Sequence, residues 1–155
     1  MYVSMRQPDR AIPYLRGTLE LNPQLAFAYQ QLGHALLQKN MPAEAVAQFE
    51  RAAALSGVRD SAQLAYAYAV TGRREAALAI IKAVLQSQSR RYVAPFDVAV
   101  AYTGLGDVDA AFRWLERAYE EHAAAMDTIA ITPAFEPLHG DPRWSRLLRR
   151  MGLLR

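Results

Sequence analysis

Apolar residues return every three or four positions over most of the 155-residue chain, a spacing that predicts a succession of amphipathic helices. The clearest run is 92–122, YVAPFDVAVAYTGLGDVDAAFRWLERAYEEH. Phe96, Ala99, Val100 and Thr103 fall at helical spacing in its first half, and Ala111, Leu115 and Ala118 in its second. Gly104, Leu105, Gly106 and Asp107 interrupt the pattern once, where one helix can end and the next be capped. The run therefore predicts a helical hairpin in which small side chains let the two helices touch.

The same pattern can be followed from the start of the chain. Pro8 opens a helix that Asn22-Pro23 closes, with Ala11, Leu15 and Thr18 on one side and Pro13 in the first turn. Residues 24–39 predict a second helix with Tyr29, Leu32, Gly33 and Leu36 along one side, and Asn40-Met41 makes the turn. Pro42 then starts a helix carrying Ala45, Phe49 and Ala52, each aligned with the earlier set at a distance of 34 residues. Leu32, Gly33 and Leu36 recur as Leu64, Ala65 and Tyr68, and again as Val98, Ala99 and Tyr102. The second helices follow with Ala77, Ile81 and Val84, then Ala111, Leu115 and Ala118. Asn40, Gly72 and Gly106 mark equivalent turns, and a two-residue shortening falls near Ser56-Gly57.

A period of this length predicts an all-α architecture, a solenoid of antiparallel helix pairs that share one continuous core. Its expected division within one domain is a half repeat at 1–23, repeats at 24–57, 58–90 and 91–122, and a capping segment at 123–155. The period stops after the third hairpin. Residues 123–131 predict one more short helix, whereas 133–138 carry too many prolines for a long one. Asp141 as N-cap and Pro142 at the first helical position restart a helix over 142–151, with Trp144, Leu147, Leu148 and Met151 on its apolar side.

Composition supports the helical reading. The chain is 52% hydrophobic and 21% charged, and much of the apolar content is alanine, the strongest helix former. The net charge of +3 is small for a nucleic-acid footprint. Much of it lies at the end, where Arg143, Arg146, Arg149, Arg150 and Arg155 face one Asp141. Such a run more often pairs with nearby acids or stays solvated than meets nucleic acid. The absence of cysteine excludes a disulfide framework and a thiolate metal site, and suits a cytoplasmic setting. No apolar run approaches membrane-spanning length, and the first ten residues hold no signal-peptide core.

These recurring small and bulky positions resemble the tetratricopeptide repeat. Three further stretches resemble more particularly the C-terminal tetratricopeptide region of bacterial multidomain signalling proteins: TLELNP at 18–23, RYVAPFDVAVAYTGLGDVDAAFRWLERAYEEH at 91–122 and FEPLHGDPRWSRLLRRMG at 135–152. Phe135, Pro137, Leu138, Asp141, Pro142, Arg143 and Trp144 carry the match at the end. The pair His139-Gly140, and Trp144 where phenylalanine is usual, depart from it. In that family the region trails a winged-helix DNA-binding domain, a protein kinase domain or a cyclase-like domain. The resemblance implies a sensory or assembly module, and no residue of DNA binding or phosphotransfer carries over to this segment.

In such a solenoid the first helix of each pair lines the concave face. By register that face carries Gln30, His34, Leu37 and Gln38, then Ala62, Tyr66 and Val70, then Phe96, Val100 and Thr103. The resemblance implies a clamp of lysine, arginine and asparagine for a peptide carboxylate, and those residue types are missing here. A mostly apolar groove with His34 and Tyr66 as polar handles predicts an apolar or aromatic peptide segment. Against it stands a purely structural role in which Tyr66 and Phe96 fill the core.

Chemistry of other kinds finds little support. His34, His122 and His139 lack paired metal-ligand spacing. The glycines at 104 and 106 lack the preceding strand and third glycine of a phosphate loop. Glu116, Glu120 and Glu121 read as a solvated helix face, and nothing nominates a nucleophile. The chain is therefore expected to be no enzyme, to need no cofactor, and to serve as a scaffold for a protein or peptide partner or for an adjacent domain. The alternative is a sensory or dimerisation module of a transcriptional regulator or kinase- or cyclase-type protein. By register Ala11 belongs to a second helix whose partner would precede Met1. Either the gene product is longer and this is a fragment of it, or Ile12 and Leu15 lack one neighbour, and such an uncovered helix predicts self-pairing of two copies through the N-terminal helix.

Overall fold

The computed structural model describes residues 7–58 and 61–154, so the opening of the expected half repeat, part of the linker after Gly57, and Arg155 lie outside the described residues. The first helix, α1, spans Pro8–Leu21. Three helix pairs follow: α2 (Ala26–Gln38) with α3 (Pro42–Ser56), α4 (Ala62–Val70) with α5 (Arg74–Gln86), and α6 (Pro95–Gly104) with α7 (Val108–Glu120). Two 3-10 segments, Ala124–Ile131 and Pro133–Leu138, lead to α8 (Pro142–Arg150). Among the described residues there is no strand, and no helix is long and apolar enough to cross a membrane.

Local sequence explains these boundaries. Proline stands in the first turn of α1, α3, α6 and α8, where its missing N–H would have had no helical partner in any case. The turn inside each pair is closed by a left-handed residue, Asn40, Gly72 or Gly106, with φ of 55°, 80° and 74°. Asparagine and glycine are the residues that tolerate this conformation. Asp107 caps α7 by accepting from the Ala110 N–H at 2.9 Å, and Asp141 caps α8 by accepting from the Arg143 N–H at 2.9 Å.

The pairs stack because the residues at their crossings are small. Ala45, Ala65, Ala77, Ala99 and Ala111 are wholly buried, and they let helix backbones approach while Leu36, Phe49, Ile81 and Leu115 fill the space around them. At two crossings even alanine is too large. A Cβ built on Gly33 would stand 2.7 Å from the Phe49 ring, and one on Gly104 would stand 2.8 Å from the Tyr66 ring. Helix α1 packs on α2, and α4 packs against both α3 and α6. Arg74 ties α5 to the end of α6 by donating to the Leu105 carbonyl at 2.7 Å.

The C-terminal part departs from the sequence expectation in two ways. Residues 124–131 wind as a 3-10 helix, in which the buried pair Met126 and Ile129, spaced by three, lies on one face. The repeat also continues in space after it ends in the residue pattern. Segment 133–138 lies along α6, while Arg143 reaches Asp109 at 2.7 Å and Arg150 reaches Glu116 at 2.5 Å, each across 34 residues. Helix α8 thus occupies the place of a fourth second helix, and the 3-10 segment that of its partner. Phe135, Leu138, Trp144, Leu147 and Leu148 join Phe96, Phe112 and Leu115 in one core.

Candidate functional site

The predicted groove residues divide into exposed, half-buried and covered sets. On α2, Gln30 and Gln38 are exposed, and His34 and Leu37 are half-buried. The His34 ring stands edge-on to Phe49 at 5.4 Å, and burial holds its imidazole below the usual value of 6.5. On α4, Ala62 is buried, Tyr66 is half-buried and Val70 is exposed. On α6, Phe96 and Thr103 are buried and Val100 is half-buried against the C-terminal core. The Thr103 hydroxyl donates to the Ala99 carbonyl at 2.9 Å, one turn back on its own helix. Phe96 meets the chain itself, edge-on to Phe135 at 5.2 Å.

A cleft of about 430 Å³ opens where these surfaces converge. Tyr66, Val70, Thr103 and Gly104 line one side, Pro133, Ala134, Glu136 and Pro137 the other, and Asn40 contributes from the first turn. The structure therefore brings Tyr66, Val70 and Thr103 together, while Gln30, His34, Leu37, Gln38, Phe96 and Val100 lie outside the cleft lining. Sequence reasoning missed Asn40 and the whole 133–137 wall. The available signal was the spacing of Phe135 and Leu138: two bulky apolar residues in a proline-bounded segment need a surface to cover.

Polar groups around this face are held in short local networks. Ser61 donates to Gln63 at 2.9 Å, and Gln63 donates to Asp97 at 2.8 Å, linking the starts of α4 and α6. Burial raises the Asp97 carboxyl above its usual range, and the bond from Gln63 works against that shift. At the far end, hydrogen bonds from the Arg143 side chain and backbone lower the Asp141 carboxyl to about 2. Arg143 also lies over the Phe112 ring at 4.4 Å and Arg150 over Tyr119 at 4.6 Å. Two arginines of the basic C-terminal run are thus engaged by acids and rings of α7, which anchors the capping helix.

The sequence model of the family described as Tetratricopeptide repeat matches residues 28–57, which hold most of α2 and all of α3. With the helix pairs stacked around it, the match defines an all-α solenoid of the tetratricopeptide type. Repeats of this class generally mediate contacts between proteins. A comparison with curated proteins found no match to the chain.

Proposed function

We propose that this chain is a protein-interaction scaffold, without chemistry of its own, that holds a peptide segment, a protein partner or an adjacent domain on its concave face. The observation that carries the reading is the cleft of about 430 Å³ beside Tyr66 and Val70, an accessible hollow. The end of that face beneath Phe96 and Val100 is occupied by the chain's own 133–138 segment. On this reading the open part joins Tyr66, Val70 and Thr103 of the cleft to the exposed Gln30 and Gln38 and the half-buried His34 and Leu37 of α2. Within this mixed polar and apolar surface, the Tyr66 ring and Val70 suit a short segment that inserts an apolar side chain. Peptides selected on the full chain from a random display library are expected to lose about tenfold in affinity on Tyr66→Ala, as truncation of an aromatic anchor does. Selected peptides that bind this variant as tightly as the parent would remove the concave face from the function.

A second reading, a dimerisation or sensory module of a bacterial regulator or kinase- or cyclase-type protein in the cytoplasm, draws on a different surface. Leu15 is buried against α2 and Ile12 is half-buried, so the two residues expected to be uncovered are largely covered. Tyr14, Leu21, Leu25 and Phe27 are instead the exposed large apolar residues at that end, with Leu21 at 90% and Phe27 at 64%. Exposed large apolar side chains gathered at one end of a chain favour association. On this reading light scattering gives a dimer mass at micromolar concentration that Phe27→Asp converts to a monomer. A monomer mass for the parent chain at every concentration removes it.

A further inference from the structure

The cleft has one charged wall. Glu136 is exposed on the 133–138 segment, and among the described residues its carboxylate has no hydrogen-bond or ion-pair partner. A further feature gives the cleft the same sign. Val70 and Gly104 are the last residues of α4 and α6, and of these two helix C-termini the α4 end carries its partial negative charge toward the cleft without a guanidinium on it. The fold already exploits one of these ends, where the Arg74 guanidinium donates to the Leu105 carbonyl at 2.7 Å. The neighbouring basic residues are committed elsewhere, Lys39 to Asp9 at 2.6 Å and Arg73 to Glu50 at 3.3 Å. Beside the carboxylate the cleft offers the Tyr66 ring, whose face attracts a cation, and the Asn40 amide, which can accept a hydrogen bond from one.

From this juxtaposition we infer that the cleft seats a lysine or arginine side chain of the bound segment, with Glu136 as its counter-ion. Val70, Pro133 and Pro137 cover the aliphatic stem, as apolar surfaces do for long basic side chains. The inference rests on the concave-face reading and specifies its partner: a segment with one basic residue among apolar ones.

Peptides selected on the full chain and dependent on Tyr66 are expected to share a lysine or arginine at one position. Replacing that residue by norleucine, of similar length and uncharged, should weaken binding about threefold to fivefold, the scale of a partly exposed ion pair. Glu136→Gln should weaken the basic peptide by a similar factor and leave the norleucine peptide unchanged, and raising the salt should shrink the difference. Tyr66-dependent peptides without a basic residue, or equal binding of the basic peptide to Glu136→Gln, overturn the inference and leave the concave-face reading intact. A selection that yields only Tyr66-independent peptides removes both.

Discussion

Gly33 shows how one missing carbon sets a helix crossing. A methyl group there would press on the Phe49 ring at 2.7 Å, and that ring is itself buried and edge-on to His34. Alanine is a better helix former than glycine by about 1 kcal/mol, yet overpacking a filled site costs about 1–3 kcal/mol. Gly33→Ala should therefore lower stability by about 1 kcal/mol, measured as a drop in the urea midpoint. A raised midpoint would mean that the ring moves aside at no cost. His34 next to it responds to acid. Because burial lowers its folded-state value below 6.5, the unfolded chain takes up the proton first as pH falls. Its contribution is complete above about pH 6.5 and is lost as pH falls through the folded-state value. Urea midpoints for His34→Gln should change less between pH 7.5 and pH 5 than those of the parent; equal changes would show that His34 does not carry the effect.

At the scale of the element, caps and turns decide where helices begin and end. Asp107 follows the left-handed Gly106 and supplies a carboxylate to the Ala110 N–H, so one short sequence both closes α6 and opens α7. Asp107→Ala should cost about 1 kcal/mol and speed hydrogen exchange in the first turn of α7. An unchanged exchange rate there would mean that another group replaces the cap. These elements were legible in the sequence because their signals are local: proline at the first turn, asparagine or glycine at the left-handed position, and small residues returning in phase. The 3-10 winding of 124–131 was not legible. A spacing of three between Met126 and Ile129 fits one face of either helix type, and only the surface they pack on selects the tighter one.

For the whole molecule, the decisive contact is the fold-back of 133–138 onto α6. Phe135 is fully buried between Phe96, at 5.2 Å, and Trp144, at 6.0 Å, so it joins the third repeat to the capping helix. Phe135→Ala should cost roughly 3–5 kcal/mol, as for other buried phenylalanines, and should expose 124–138 to limited proteolysis before the first two repeats are cut. Cleavage distributed evenly along the chain would show that the segment is no separate unit of stability. The same contact reshapes the candidate site. Register alone put Phe96, Val100 and Thr103 on an open face, whereas the fold gives Phe96 to the core and makes the cleft from Tyr66, Val70 and the 133–137 wall.

The residue pattern by itself determined the helices, their pairing and the solenoid, since each depends on apolar spacing within one turn or one repeat. Only the tertiary structure decided where the proline-bounded segment lies, and with it which residues line the cleft. Phe135 has Leu138 three residues on, but no repeat pattern that says which surface the two cover. Its position follows from packing against Phe96 and Trp144, which become its neighbours only once the third repeat and the capping helix have come together.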